Sequence, residues 1–170
     1  MNKIALGCSH TYGVGVEPIQ TWPHLLGATN LGVSGCSADY IVRNMPAHLS
    51  TYKPNIVYVL WPDWTRFEYV DKGQYYQSLA TDANRINFME IATDNWLQNN
   101  YIKQITLARE MCRNIKLVEM TLYDLIPFID HADRWPVSKL GHHYSEVWHT
   151  WVADIFETKT EWIQNHRLFA

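Results

Sequence analysis

The chain has 170 residues, 47% of them hydrophobic and 18% charged, with a formal net charge of −3, which fits one soluble globular domain with a sizeable core. No Lys/Arg cluster offers a footprint for nucleic acid, and the longest clean apolar run, Ile56 to Trp61, is far too short to cross a bilayer. Met1-Asn2-Lys3 leads straight into an apolar run with no room for a secretory signal, and three cysteines suggest no disulfide framework, so a reducing, cytoplasmic setting is expected.

Apolar runs of strand length occur at Lys3–Leu6, Asn30–Val33, Asn55–Trp61 and Ile115–Met120. The third is apolar throughout from Ile56, as a central parallel strand covered on both faces should be. Helical stretches lie between the runs. Thr21 is placed to cap a short helix through Trp22-Pro23-His24-Leu25-Leu26, with Pro23 in its first turn. Ile41, Met45 and Leu49 give helical spacing over Ala38 to Leu49, with Pro46 as a point of strain. Leu97, Tyr101, Ile105, Ala108 and Met111 or Cys112 mark a helix before the fourth strand. Val147, Trp151, Val152, Ile155 and Phe156 mark a last helix starting near Ser145, with His149 expected on its solvated side. Alternating strands and helices predict a three-layer α/β/α sandwich with a mostly parallel sheet, in one domain spanning residues 1–170. The polar, aromatic stretch around 63–95 reads as a substrate-facing insertion or as plain surface.

Sites in such sheets form at the carboxyl ends of the strands. Gly7-Cys8-Ser9-His10 follows the first run directly, so Ser9 stands where a nucleophile can be lifted from the sheet edge. Gly35 and the Pro62–Arg66 segment follow two other strands and should share that edge. Eight Trp and ten Tyr supply both core and binding surface. His142, His143 and His149 match no familiar zinc spacing, and Gly7, Gly13 and Gly15 fit no phosphate loop, so neither metal nor cofactor is expected.

Leu6-Gly7-Cys8-Ser9-His10-Thr11-Tyr12-Gly13, followed by Trp22-Pro23, resembles the first sequence block of the SGNH hydrolases, the GDSL esterase and lipase family. Asn30-Leu31-Gly32-Val33-Ser34-Gly35-Cys36-Ser37 resembles the second block, and His143-Tyr144-Ser145 with Trp151-Val152-Ala153 behind it resembles the last. The likeness runs over residues 3–37 and returns over about 140–156. It departs from the family at Cys8 in place of Asp, at Trp61-Pro62-Asp63-Trp64-Thr65-Arg66 in place of Gly-x-Asn-Asp, and at Leu140 three residues before His143.

The resemblance implies an SGNH (flavodoxin-like) fold and a serine acylhydrolase acting on a small ester, with a carbohydrate O-acetyl group as one candidate. It assigns Ser9 as nucleophile, His143 as base, and the Ser9 and Gly35 N–H groups as oxyanion donors. The orienting acid would come from the preceding loop, as Asp133 or Asp130, with Asp133 preferred. Trp64, Thr65 and Arg66 are the candidate replacements for the Asn donor; Arg66 equally suits an anionic substrate group or a salt bridge with Glu68 or Asp63. His10, Tyr12, Trp61 and Arg66 would line the substrate site, and Cys8 and Cys36 would be small semi-buried thiols. A reading of a different class is a glycan-recognising binding module on the same scaffold with weakened catalysis. No nucleic-acid or membrane partner is expected.

Overall fold

The computed structural model describes residues 1–78, 93–121 and 144–166. In chain order it contains β1 (Lys3–Gly7), α1 (Ser9–Tyr12), a 3-10 turn (Pro18–Gln20), α2 (Trp22–Leu25), β2 (Thr29–Asn30), α3 (Ala38–Tyr52) and β3 (Ile56–Trp61). There follow β4 (Phe67–Asp71), β5 (Gln74–Ser78), α4 (Asp94–Met111), β6 (Lys116–Thr121) and α5 (Glu146–His166). Four strands form a parallel sheet in the order β2-β1-β3-β6, while β4 and β5 form a separate antiparallel hairpin.

Strand parity divides the core. Val57, Val59 and Trp61 face one layer with Ile4 and Leu6, against Ile41, Val42 and Met45 of α3 and Tyr101 and Ala108 of α4. Ile56, Tyr58 and Leu60 face the other layer with Ala5, Val118 and Met120, against Trp22, Trp148, Val152 and Phe156. All six residues of β3 are buried, which is why its sequence is apolar at every position. The three-layer α/β/α sandwich expected from the sequence is therefore the observed one.

Several local expectations are revised. β2 is only Thr29–Asn30, but the chain continues beside β1, because the Leu31 and Val33 N–H groups donate to the Ala5 and Gly7 carbonyls at 2.9 Å each. Thr21 precedes α2 without capping it; its hydroxyl donates instead to the Pro18 carbonyl at 2.8 Å. Pro46 does not end α3, which runs on to Tyr52. The buried Ile41, Val42 and Met45 and the Ser37 cap, whose hydroxyl accepts the Tyr40 N–H, hold the helix across the missing donor.

His149 is the clearest correction. It is 2% exposed, and its Nδ1 accepts the Trp22 N–H at 3.3 Å. Val147, expected in the apolar stripe, is 50% exposed; the buried stripe is Trp148, Val152, Ala153 and Phe156. Trp22 selects this face by stacking on Phe156 at 4.7 Å. Burial holds the His149 imidazole neutral, with its pKa lowered to about 4.

The hairpin begins the stretch expected to be an insertion. Phe67 packs on Leu97 of α4, and Glu68 receives a two-pronged bond from Arg43 of α3, Nε and Nη2 each at 2.9 Å. It is thus anchored on the α3/α4 layer. Residues 79–92 lie outside the described residues. Among the described residues no helix is long and apolar enough to cross a membrane.

Candidate active site

The first piece of the site follows from glycine at position 7. A Cβ there would collide with Thr11 Oγ1 and lie 2.7 Å from the Leu60 carbonyl, so only glycine lets β1 turn this tightly into α1 beside β3. The chain turns at once: the Cys8 carbonyl accepts from both the Thr11 and Tyr12 N–H groups at 2.9 Å. Ser9 becomes the first residue of α1 and is 5% exposed. It stands two residues past the end of β1, at the carboxyl edge of the sheet.

The Gly35 turn is fastened to the same point. The Cys36 N–H closes the turn onto the Val33 carbonyl at 3.2 Å. The Gly7 carbonyl receives the Val33 N–H at 2.9 Å and the Cys36 thiol at 3.2 Å. Gly35 has φ +77° with open space around its missing side chain. The oxyanion-glycine candidate is therefore held, through its neighbours, against the residue two before Ser9.

Asn30 was not singled out from the sequence, yet it braces this arrangement. Its Nδ2 donates to the Thr11 carbonyl at 2.8 Å and its Oδ1 accepts the Gly32 N–H at 3.0 Å. It thereby satisfies a carbonyl at the end of α1 that the short helix leaves open. A lone Asn at a strand end carries no signal for such a role until the two loops are known to touch.

Beyond β3, Asp63 organises the turn. Its Oδ1 accepts the Thr65 N–H at 2.8 Å and the Thr65 hydroxyl at 2.5 Å. The hydroxyl proton of Thr65 is thus engaged, which removes it as a ready oxyanion donor. Trp64 is half-buried between the sheet core and the hairpin cluster. Arg66 makes no ion pair among the described residues; of its two expected partners, Glu68 is held by Arg43 and Asp63 Oδ1 accepts from Thr65. Arg66 Nη1 is buried without a hydrogen-bond partner. Burial first, and then the neighbouring Cys8 thiol, push the Cys36 thiol up to about 12, while the Arg66 charge pulls the other way. Cys36 is thus a neutral donor to Gly7, and all three cysteines are buried and free.

Trp61 does not line the site. It is 1% exposed, packs edge-on to Tyr101 at 6.4 Å, and donates its Nε1 to Glu119 at 2.8 Å. Its parity with Val57 and Val59 places it in the core. Tyr12 is 58% exposed and borders an open cleft of ≈ 570 Å³ with Gly13, Val16, Asn30 and Gly32.

His143 and Asp133, with Asp130, lie outside the described residues. The residue following His143 does not. Tyr144 stacks on His10 with ring centroids 5.3 Å apart, and on Trp148 at 4.9 Å. His10 also meets Trp148 at 5.4 Å. Residues adjoining Ser9 and His143 are thus packed face to face.

No family model and no curated protein matches the sequence. Solved structures do match. A member of the lipolytic protein G-D-S-L family from Veillonella parvula superposes with a TM-score of 0.52 at 14% identity, over 90% of this chain and 94% of that one. The esterase EstA from Pseudoalteromonas sp., solved inhibited by monoethylphosphonate, gives 0.53 at 13%, over 96% and 100%. A two-domain esterase active on acetylated mannans gives 0.50 at 16%, over 94% of this chain and 48% of that one. The fold is that of the GDSL lipolytic proteins and esterases, at a sequence identity of only 13–16%.

Proposed function

We propose that the protein is a serine acylhydrolase that cleaves a small acyl ester through an acyl-Ser9 intermediate. The observation that carries this reading is the His10–Tyr144 stack, which brings the neighbours of Ser9 and His143 together across the sheet edge. In the proposed reaction Ser9 Oγ attacks the ester carbonyl while His143 takes its proton. The Ser9 and Gly35 N–H groups hold the oxyanion, with Trp64 Nε1 as the third donor. Collapse expels the alcohol, which takes the proton back from His143. Water, deprotonated by His143, then attacks the acyl-serine and releases the acid. Asp133 would fix the imidazole tautomer.

Cys36 supports the geometry by tying the Gly35 turn to Gly7. The exposed Tyr12 beside the open cleft offers a flat face for a sugar ring, which favours carbohydrate O-acetyl esters among small substrates. Hydrolysis of p-nitrophenyl acetate tests the reaction class. Ser9→Ala and His143→Ala should each lower kcat by about 10³ or more while the protein stays folded. Turnover that survives Ser9→Ala would overturn the assignment. A folded wild type that binds acetylated glycans without hydrolysing any ester would favour a binding module instead.

A further inference from the structure

Among the described residues, Arg66 at this edge has no salt-bridge partner. Glu68 is held by both prongs of Arg43. Asp39 accepts from Asn100, Gln104 and the Glu68 N–H. Asp63 Oδ1 is engaged twice by Thr65. The thiols of Cys8 and Cys36 are buried and carry no disulfide. Arg66 Nη1 is buried without a hydrogen-bond partner, a cost that a functional role or a bound group would account for. Its location fits that role. Arg66 sits five residues beyond β3, whose Leu60 pairs with Gly7 of β1, and its charge is felt at Cys36 next to Gly35.

We propose that Arg66 selects esters carrying an anionic group, a carboxylate or a phosphate, close to the scissile carbonyl. This rests on the reading of Ser9 as nucleophile. The planar fork of arginine matches the oxygens of such a group with two parallel bonds. A transient oxyanion alone would leave the charge uncompensated for most of the catalytic cycle, whereas a permanent anion on the substrate compensates it from binding onward.

Two measurements test this. The first compares kcat/KM for 4-acetoxybenzoate and for its neutral methyl ester. Wild type should prefer the carboxylate about ten-fold or more. Arg66→Gln should cut that preference about ten-fold, chiefly through KM, and Arg66→Lys should restore part of it. A preference unchanged in Arg66→Gln, with both esters slowed equally, would overturn the proposal in favour of an oxyanion role. The second needs no turnover: 4-hydroxybenzoate is titrated calorimetrically into Ser9→Ala and into Ser9→Ala with Arg66→Lys or Arg66→Gln. Saturable binding that weakens in the order Arg, Lys, Gln supports the proposal, and the Lys variant serves if the Gln variant does not fold. Absence of binding to Ser9→Ala, or binding equal in all variants, overturns it. If wild type hydrolyses neither these esters nor p-nitrophenyl acetate, the reading of Ser9 as nucleophile fails and the proposal falls with it, whereas turnover of p-nitrophenyl acetate without a preference for the carboxylate overturns the proposal alone.

Discussion

Gly35 and Gly7 are glycines for different reasons, and substitution should separate them. Gly35 has a positive φ but open surroundings, so alanine costs backbone strain of about 1 kcal/mol without a clash. Gly7→Ala would instead drive a methyl group into Thr11 and the Leu60 carbonyl and should destabilise the fold severely. If the Gly35 N–H is an oxyanion donor, Gly35→Ala should lower kcat by about ten-fold or more with little change in KM and only a small fall in Tm. Kinetics on p-nitrophenyl acetate beside a thermal melt would check this. Unchanged kcat would exclude the Gly35 N–H from the oxyanion site. The turns that hold Ser9 and Gly35 beside the carboxyl end of β1 were legible because each follows a short apolar run with a small residue beside it. Trp61 was misread because an aromatic at a strand end looks like a pocket wall, although its parity with Val57 and Val59 already pointed inward. Asn30 could not be read at all, since its work is done between two loops.

At the scale of the element, α5 shows how tertiary contacts choose among helical faces. Its sequence carries two overlapping apolar stripes, and the buried one is set by Trp22 and Tyr58, both in contact with Phe156. His149 joins that face because it satisfies the Trp22 N–H, one of the unpaired donors at the start of α2. The junction makes stability depend on pH. The imidazole titrates at 6.5 when unfolded and is lowered to about 4 by burial, so the unfolded state takes up its proton first as pH falls. The stability contribution is complete above pH 6.5 and is lost as pH falls through about 4, an effect of about 3 kcal/mol if the folded environment persists. His149→Gln, which loses the titrating group, should flatten the fall of stability between pH 7 and pH 4, measured by urea unfolding. An equally steep fall in the variant would contradict this origin.

For the whole molecule, the sheet does the assembly. Parallel pairing aligns Gly7 with Leu60 and carries the chain past Ser9 and toward Arg66 at one edge, while the Gly7 carbonyl gathers the Gly35 turn to it. The sandwich was legible because alternating apolar runs and helical stripes leave few other ways to bury both faces of β3. The hairpin was not, because its core is made by Phe67, Leu97 and the Arg43–Glu68 pair, which are distant in sequence. The central claim is that this edge holds an activated serine. Its most direct test is covalent labelling of the purified protein with an alkyl p-nitrophenyl phosphonate, read by intact mass and peptide mapping. One adduct per chain is expected, on Ser9, abolished in Ser9→Ala and strongly slowed in His143→Ala. No adduct on the folded wild type, or an adduct that persists in Ser9→Ala, would contradict it.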